Sequence, residues 1–211
     1  MNILIAIESC AAHADRAQSQ IETWAESPLI SPLLGPARLE VFTGEDLDVP
    51  DDYIHLPEKT KGICEYACEH TVDYMFKVDT DTYVSVPQLL QEDFAKHDYS
   101  GYVLDSLPVA PYCSGPHYWL SRKAFTILAN EKWTKYRAAG HETAEDVMVG
   151  TILAAHGIYP HHEPRHSLFT PVLPSNDIIS NHLTSREGYR PGMMEEAHRN
   201  ALGLGQKVSH G

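Results

Sequence analysis

Hydrophobic and polar positions along this chain switch repeatedly between two periods. Residues 3–7, "ILIAI", form an unbroken aliphatic run, the pattern of a strand buried on both faces. From His13 to Glu26 the period becomes helical, with Ala17, Ile21, Trp24 and Ala25 on one face. "RLEVFTG" reads as a second strand closed by Gly44, and a Pro- and Asp-rich loop separates it from a helix running from about Glu58 to His70. "DYMFKVD" is a third strand. Pro87 then falls in the first turn of a short helix, where its missing N–H costs nothing. "SGYVL" is a fourth strand, and the loop "DSLPVAPYCSG" leads to a fifth, "PHYWLS", and to the helix of "RKAFTILANEKW". A last strong helix spans about Glu145 to His156, with Val149, Ile152, Leu153 and His156 on one face and Gly157 as its cap. The remaining third is rich in His and Pro and reads as loops with a short helix laid over the sheet.

Strands alternating with helices predict an α/β fold with a mostly parallel central sheet flanked by helices. The 211 residues suit one domain, expected over 1–200, with 201–211 as a mobile tail. No internal repeat or low-complexity segment interrupts it.

Composition narrows the functional classes. Hydrophobic residues make up 43% and charged residues 21%, ordinary for a globular protein. Against 16 Lys and Arg stand 29 Asp and Glu, a formal charge of −13. A surface that acidic gives no electrostatic help towards nucleic acid or anionic lipid, but a bound divalent cation can still bring a small anionic substrate to it. The first apolar run is too short for a signal peptide, no segment approaches a membrane span, and there is no Asn-x-Ser/Thr sequon. Cytoplasmic location and four free thiols (Cys10, Cys64, Cys68, Cys113) are therefore expected. Cys64 and Cys68 share a helical face, yet a zinc site needs two further ligands at a recognisable spacing.

The stretch "FKVDTDTYV", residues 76–84, breaks the pattern. Two aspartates one residue apart close a strand, although strands disfavour Asp and neighbouring carboxylates repel unless a positive charge sits between them. The stretch is either a polar turn in water or a metal site. An EF-hand loop is excluded, because Tyr83 and Val84 stand where a fifth-position oxygen ligand and a sixth-position glycine are required. Asp79 and Asp81 lie at the carboxyl end of a central strand, where open α/β sheets place their ligands. Two hard carboxylates there suit Mg²⁺ or Mn²⁺ bridging to phosphate oxygens.

Four segments in order carry a family resemblance. "DRAQSQIETWAES", "EKTKGICEYACEHTVDYMFKVDTDTYV", "PYCSGPHYWLSRKAF" and "EDVMVGTILAAHGI" resemble, in register, signatures of the Fringe and β-1,3-galactosyltransferase family, glycosyltransferase family 31, over about residues 3–185. The resemblance implies a GT-A-type glycosyltransferase fold and a Mn²⁺-dependent, inverting transfer of a sugar from a UDP-sugar to an acceptor hydroxyl on a glycan or small glycoside, usually in β-1,3 linkage. It implies Asp79, Asp81 and His182 as metal ligands, Asp146 as catalytic base, and Arg16 and Lys59 near the nucleotide. Gly115 to Tyr118 would form a loop over donor and acceptor. The middle aspartate of the family triplet is Thr80 here, and its triple glycine is Gly115-Pro116-His117, so donor and acceptor preference do not carry over. The stem and anchor of the eukaryotic members are not seen, which points to a minimal soluble enzyme of a bacterial or virus-infected cell.

Each of these residues also has a plainer reading. Acids are enriched in first helical turns, so Glu145 and Asp146 can be a stabilising pair. His161, His162 and His166 read as a solvated loop cluster. Of Trp119 and Tyr118, one is expected in the core and one, Tyr118, at the site as a sugar-stacking ring. Two alternatives to the enzyme remain: a non-catalytic sugar-nucleotide or glycan-binding module, and glycosylation of modified bases in viral DNA. The second needs a basic groove that the net charge disfavours.

Overall fold

In the computed structural model the described residues are 1–25, 38–105, 109–136, 144–168, 178–183 and 188–202. The elements run β1 (Ile3–Glu8), α1 (Ala14–Gln20), β2 (Arg38–Phe42), α2 (Gly44–Leu47), α3 (Leu56–Glu69), β3 (Tyr74–Asp79), β4 (Thr82–Val84), α4 (Val86–Gln91) and β5 (Tyr99–Leu104). They continue with β6 (Tyr112–Ser121), α5 (Arg122–Asn130), α6 (Glu145–Ala155), β7 (His161–His162), β8 (His166–Ser167), β9 (Ser180–His182) and α7 (Met193–Ala201).

Six strands form the main sheet in the order β2-β1-β3-β6-β5-β7. Only β6 runs against its neighbours; the pairs β1–β2, β1–β3 and β5–β7 are parallel. The aliphatic run of β1 is buried throughout, as expected for a central strand covered on both faces. One layer, with Ile63 and Ala67 of α3, Phe125 and Leu128 of α5 and Met148 and Ile152 of α6, packs on one face. The other face is covered by Trp24, by Val86 and Leu89 of α4, and by Met193 and Met194 of α7. A second sheet, β4-β9-β8, leaves the main one just after β3.

Several expectations are refined. The first helix is α only to Gln20 and continues as a π-helical turn, Ile21–Ala25; its expected end at Glu26 lies outside the described residues. "PYCSG", expected in a loop, belongs largely to β6, whose ten residues start at Tyr112. Pairing with β5 overrides its turn-like composition, and a bulge between Gly101 and Val103 absorbs the irregularity. Gly157 caps α6 at φ +75°, a conformation that favours glycine. All four cysteines are free. Ala201 ends α7, and residues 203–211, most of the expected tail, lie outside the described residues. Among the described residues, no helix is long and apolar enough to cross a membrane.

Candidate functional site

Register brings the acids together. In the parallel pairing of β1 with β3, Glu8 stands opposite Asp79, so the carboxyl ends of the two strands coincide. The chain turns at Thr80 and Asp81 into β4, which pairs antiparallel with β9 so that Thr82 faces His182. The Leu183 N–H donates to the Asp81 carbonyl (2.7 Å), and His182 Nε2 lies 3.3 Å from Asp81 Oδ1. Arg16 reaches Asp81 Oδ2 from α1 at 3.8 Å, and its guanidinium lies over the Tyr189 ring. Sequence reasoning missed Gln20. From the buried face of α1 its Nε2 donates to the carbonyls of Asp79 (2.9 Å) and Thr82 (2.7 Å), fixing the turn that carries both aspartates. A glutamine on an otherwise apolar helical face was the available signal.

A cavity of about 230 Å³ opens at these strand ends, lined by Glu8, Ser9, Arg16, Lys59, Asp79 and Asp81 among others. Lys59 is in its wall but committed: its Nζ donates to the Ser9 carbonyl and to Asp51 Oδ1. Asp51 also accepts from the N–H groups of Ala11 and Gly44, so one carboxylate ties three loops into the cavity rim.

Beneath the cavity lies a charge cluster. Lys77 is buried on β3 and contacts Asp79 Oδ1 at 2.5 Å, Glu8 Oε2 at 2.8 Å and Glu145 Oε2 at 3.9 Å. Its Nζ also donates to the Gly115 carbonyl (2.9 Å), and the Gly115 N–H donates to Asp146 Oδ2 (3.0 Å). Gly115 thus links the strand-end acids to the first turn of α6. Burial, with repulsion from Glu8 and Asp81, pushes the Asp79 carboxyl up to about 6 although Lys77 opposes it. Burial also works against an ionised Asp81, but His182 and Arg16 outweigh it and hold the carboxyl below its ordinary value. His182 is raised in turn, because Asp81 overcomes the effect of burial.

The expected site residues therefore divide. Arg16, Asp79, Asp81 and His182 converge on one wall, and Gly115, whose carbonyl Lys77 also reaches, holds Asp146 through its N–H. Tyr118 does not offer a stacking face. It is fully buried at the centre of β6, and its hydroxyl donates to Glu145. Trp119 is buried on the opposite face, stacked on Phe94 and bonded to Glu92, since successive strand residues enter opposite layers. His161 and His162 are exposed, but His166 is fully buried between Ser180 Oγ (2.5 Å) and Glu92 Oε2 (3.2 Å). Among the described residues, no three His, Cys, Asp or Glu side chains gather as a ready metal cage, and Asp79 Oδ1 is engaged by Lys77. Asp81 Oδ1 is buried without a well-directed hydrogen bond.

Comparison with solved structures adds the fold's class. The chain is similar to the crystal structure of a glycosyltransferase involved in glycosylation of the major capsid of PBCV-1, with a TM-score of 0.57 and 16% identity over 93% of this chain and 99% of that one. It also matches galactosyltransferase LgtC, solved with donor and acceptor sugar analogues, at a TM-score of 0.49 and 14% identity over 94% and 93% of the two chains. No protein-family model and no curated protein matches its sequence. The architecture is that of a GT-A-type glycosyltransferase, a mixed α/β fold with a mostly parallel sheet between helical layers.

Proposed function

We propose that this protein is a glycosyltransferase that moves a sugar, with inversion, from a UDP-sugar to an acceptor hydroxyl on a glycan or small glycoside, in the β-1,3 manner of the Fringe-like family it resembles. The observation that carries this reading is the convergence of Arg16, Asp79, Asp81 and His182 at the carboxyl ends of β1, β3 and β9 in a fold of this class.

Charge favours a divalent cation as part of the site. A diphosphate entering beside Asp79 and Asp81 meets two carboxylates, with Arg16 against them and Lys59 already paired to Asp51. Two carboxylates and an imidazole form a donor set suited to Mn²⁺, with Mg²⁺ acceptable to the oxygens; Asp81 Oδ1 faces His182 Nε2 at 3.3 Å without a well-directed hydrogen bond. Asp81 and His182, joined by Asp79, would hold the ion. When bound it stabilises the charge that develops as UDP leaves. Arg16 adds a fixed positive charge on the same side.

Asp146 takes the acceptor's proton. It stands at the start of α6, partly exposed, with its Oδ2 oriented by the Gly115 N–H and its Oδ1 by the Val147 N–H. A base fixed by two backbone donors keeps its position as charge shifts in the transition state. Lys77 donates both to Asp79 and to the Gly115 carbonyl, and the Gly115 N–H holds Asp146, so the proposed base and the strand-end acids are linked through one short hydrogen-bonded chain.

The test is calorimetric titration of UDP with Mn²⁺ and with EDTA. Tight binding in Mn²⁺, lost in EDTA and in Asp81→Ala, is the expected result. Equal affinity in all three conditions would exclude the metal-bridged site.

A further inference from the structure

Two carboxylates converge where Gly115 lacks a side chain. A Cβ there would lie 3.4 Å from Glu145 Oε2 and 3.5 Å from Asp146 Oδ2, so consecutive acids of α6 share one small hollow beside β6. Their surroundings differ. Asp146 is partly exposed and takes two backbone N–H groups. Glu145 is buried and faces inward, with the Tyr118 hydroxyl on Oε1 and Lys77 Nζ 3.9 Å from Oε2.

The groups that face Glu145 are Lys77 on β3, Glu8 on β1, Tyr118 on β6, Tyr99 on β5, Cys64 on α3, and Asp146 on its own helix. Of the two buried carboxylates that Lys77 reaches besides Asp79, Glu8 is close at 2.8 Å and Glu145 distant at 3.9 Å. With Glu8 and Glu145 both ionised, one Lys77 would leave an uncompensated negative charge buried under the sheet, which is strongly destabilising. A proton on Glu145, the less compensated of the two, removes it. Because Tyr118 already donates to Oε1, Oε2 is the oxygen that carries it.

We propose that Glu145 keeps a proton in the working protein and acts as a positioning residue: neutral, it holds Tyr118 and the Gly115 hollow without drawing Lys77 away from Asp79 and Glu8, and it leaves Asp146 as the carboxylate that meets the acceptor. Its purpose rests on the sugar-transfer reading; its protonation does not. Burial, with repulsion from Glu8 and Asp146, acts in the same direction and carries the Glu145 carboxyl to about 8 against the pull of Lys77. Two adjacent acids thereby take different roles, set by environment. A carboxyl raised in the folded state adds stability below its unfolded value, and that contribution is lost as pH rises through the folded one. Wild type should lose it between about pH 4.3 and 8.

The experiment uses wild type, Glu145→Gln, which copies the protonated carboxyl, and Glu145→Ala. Carbon NMR of protein with ¹³C-labelled glutamate side chains should show one carboxyl that is still protonated at pH 6 in wild type and missing from Glu145→Gln. A spectrum in which every glutamate is ionised by pH 6 overturns the proposal, and this readout needs no variant to fold. In urea unfolding, the Glu145→Gln midpoint should rise relative to wild type from pH 5 to pH 8.5; a constant or falling difference overturns it. In UDP release from a UDP-sugar, Glu145→Gln should retain clearly more of the wild-type rate than Glu145→Ala. Equal loss in both removes the positioning role. A late-titrating carboxyl in a protein that turns over no UDP-sugar would count against the sugar-transfer reading and leave the protonation standing.

Discussion

Replacing Lys77 with Met keeps an unbranched side chain only one heavy atom shorter and deletes the charge from the centre of the acid cluster. Lys77 and Glu8 have side chains each 2% exposed, whereas Asp79 is 34% exposed. Asp79 can recover water when the ammonium goes; Glu8 cannot. The remaining partner of Glu8 is the Thr60 hydroxyl, shared between its two oxygens at 3.3 and 3.4 Å, and one hydroxyl has one proton to give. Removing one member of a buried ion pair typically costs about 3–5 kcal/mol, because the survivor is left as an uncompensated charge. The lost bond to the Gly115 carbonyl adds about 1 kcal/mol. Lys77→Met should therefore unfold about 4–6 kcal/mol more easily than wild type in urea. The double variant Lys77→Met/Glu8→Gln should recover most of that loss, since no buried charge is then stranded. A loss below about 1 kcal/mol in the single variant, or a double variant that merely sums the two single losses, would refute the assignment of Lys77 as the counter-charge of Glu8.

Other outcomes follow from neighbouring parts of the fold. Asp146→Asn should lower sugar transfer by about a hundred- to ten-thousand-fold while UDP affinity by calorimetry stays near wild type, because in the proposed mechanism its partner is the acceptor and not the diphosphate. Gly150→Ala should destabilise α6 against β6 by about 1–3 kcal/mol in thermal unfolding, since the new Cβ would sit 2.3 Å from Tyr112 Cβ. Glu163 is held down to about 2 by its two-point contact with Arg165, with burial opposing. Its contribution is present above the unfolded carboxyl value and is lost as pH falls towards 2. Solvent around Arg165, 41% exposed, limits that contribution to about 1 kcal/mol, and Glu163→Gln should flatten this part of the acid limb of stability.

The strands β1 and β3, the helices α3 and α6 and the Gly157 cap were legible because local pattern and tertiary role agree there. The start of β6 was not, because Pro, Cys, Ser and Gly read as a turn until β5 is placed beside them. The Asp79–Asp81 turn stood out as acids at a strand end. His182 was a candidate through the resemblance alone, and what sets it beside Asp81 is the pairing of β4 with β9, a long-range register that no local pattern encodes. Lys77, Glu8 and Glu145 were invisible as a group for the same reason: each is an ordinary charged residue in its own segment, and only the parallel alignment of β1 with β3 and the packing of α6 on β6 buries them together. His166 was misread as solvated because it shares a Pro-containing loop with His161 and His162, while the Glu92 and Ser180 that bury it arrive from other elements.

The central claim is sugar transfer from a UDP-sugar at the Asp79–Asp81–His182 wall. Its most direct test is UDP release from a panel of UDP-sugars in the presence of Mn²⁺, followed for wild type and Asp81→Ala side by side. Release from at least one donor by wild type, lost in Asp81→Ala and on adding EDTA, is the predicted result. No release from any donor by wild type, or release that persists undiminished in Asp81→Ala, would contradict it.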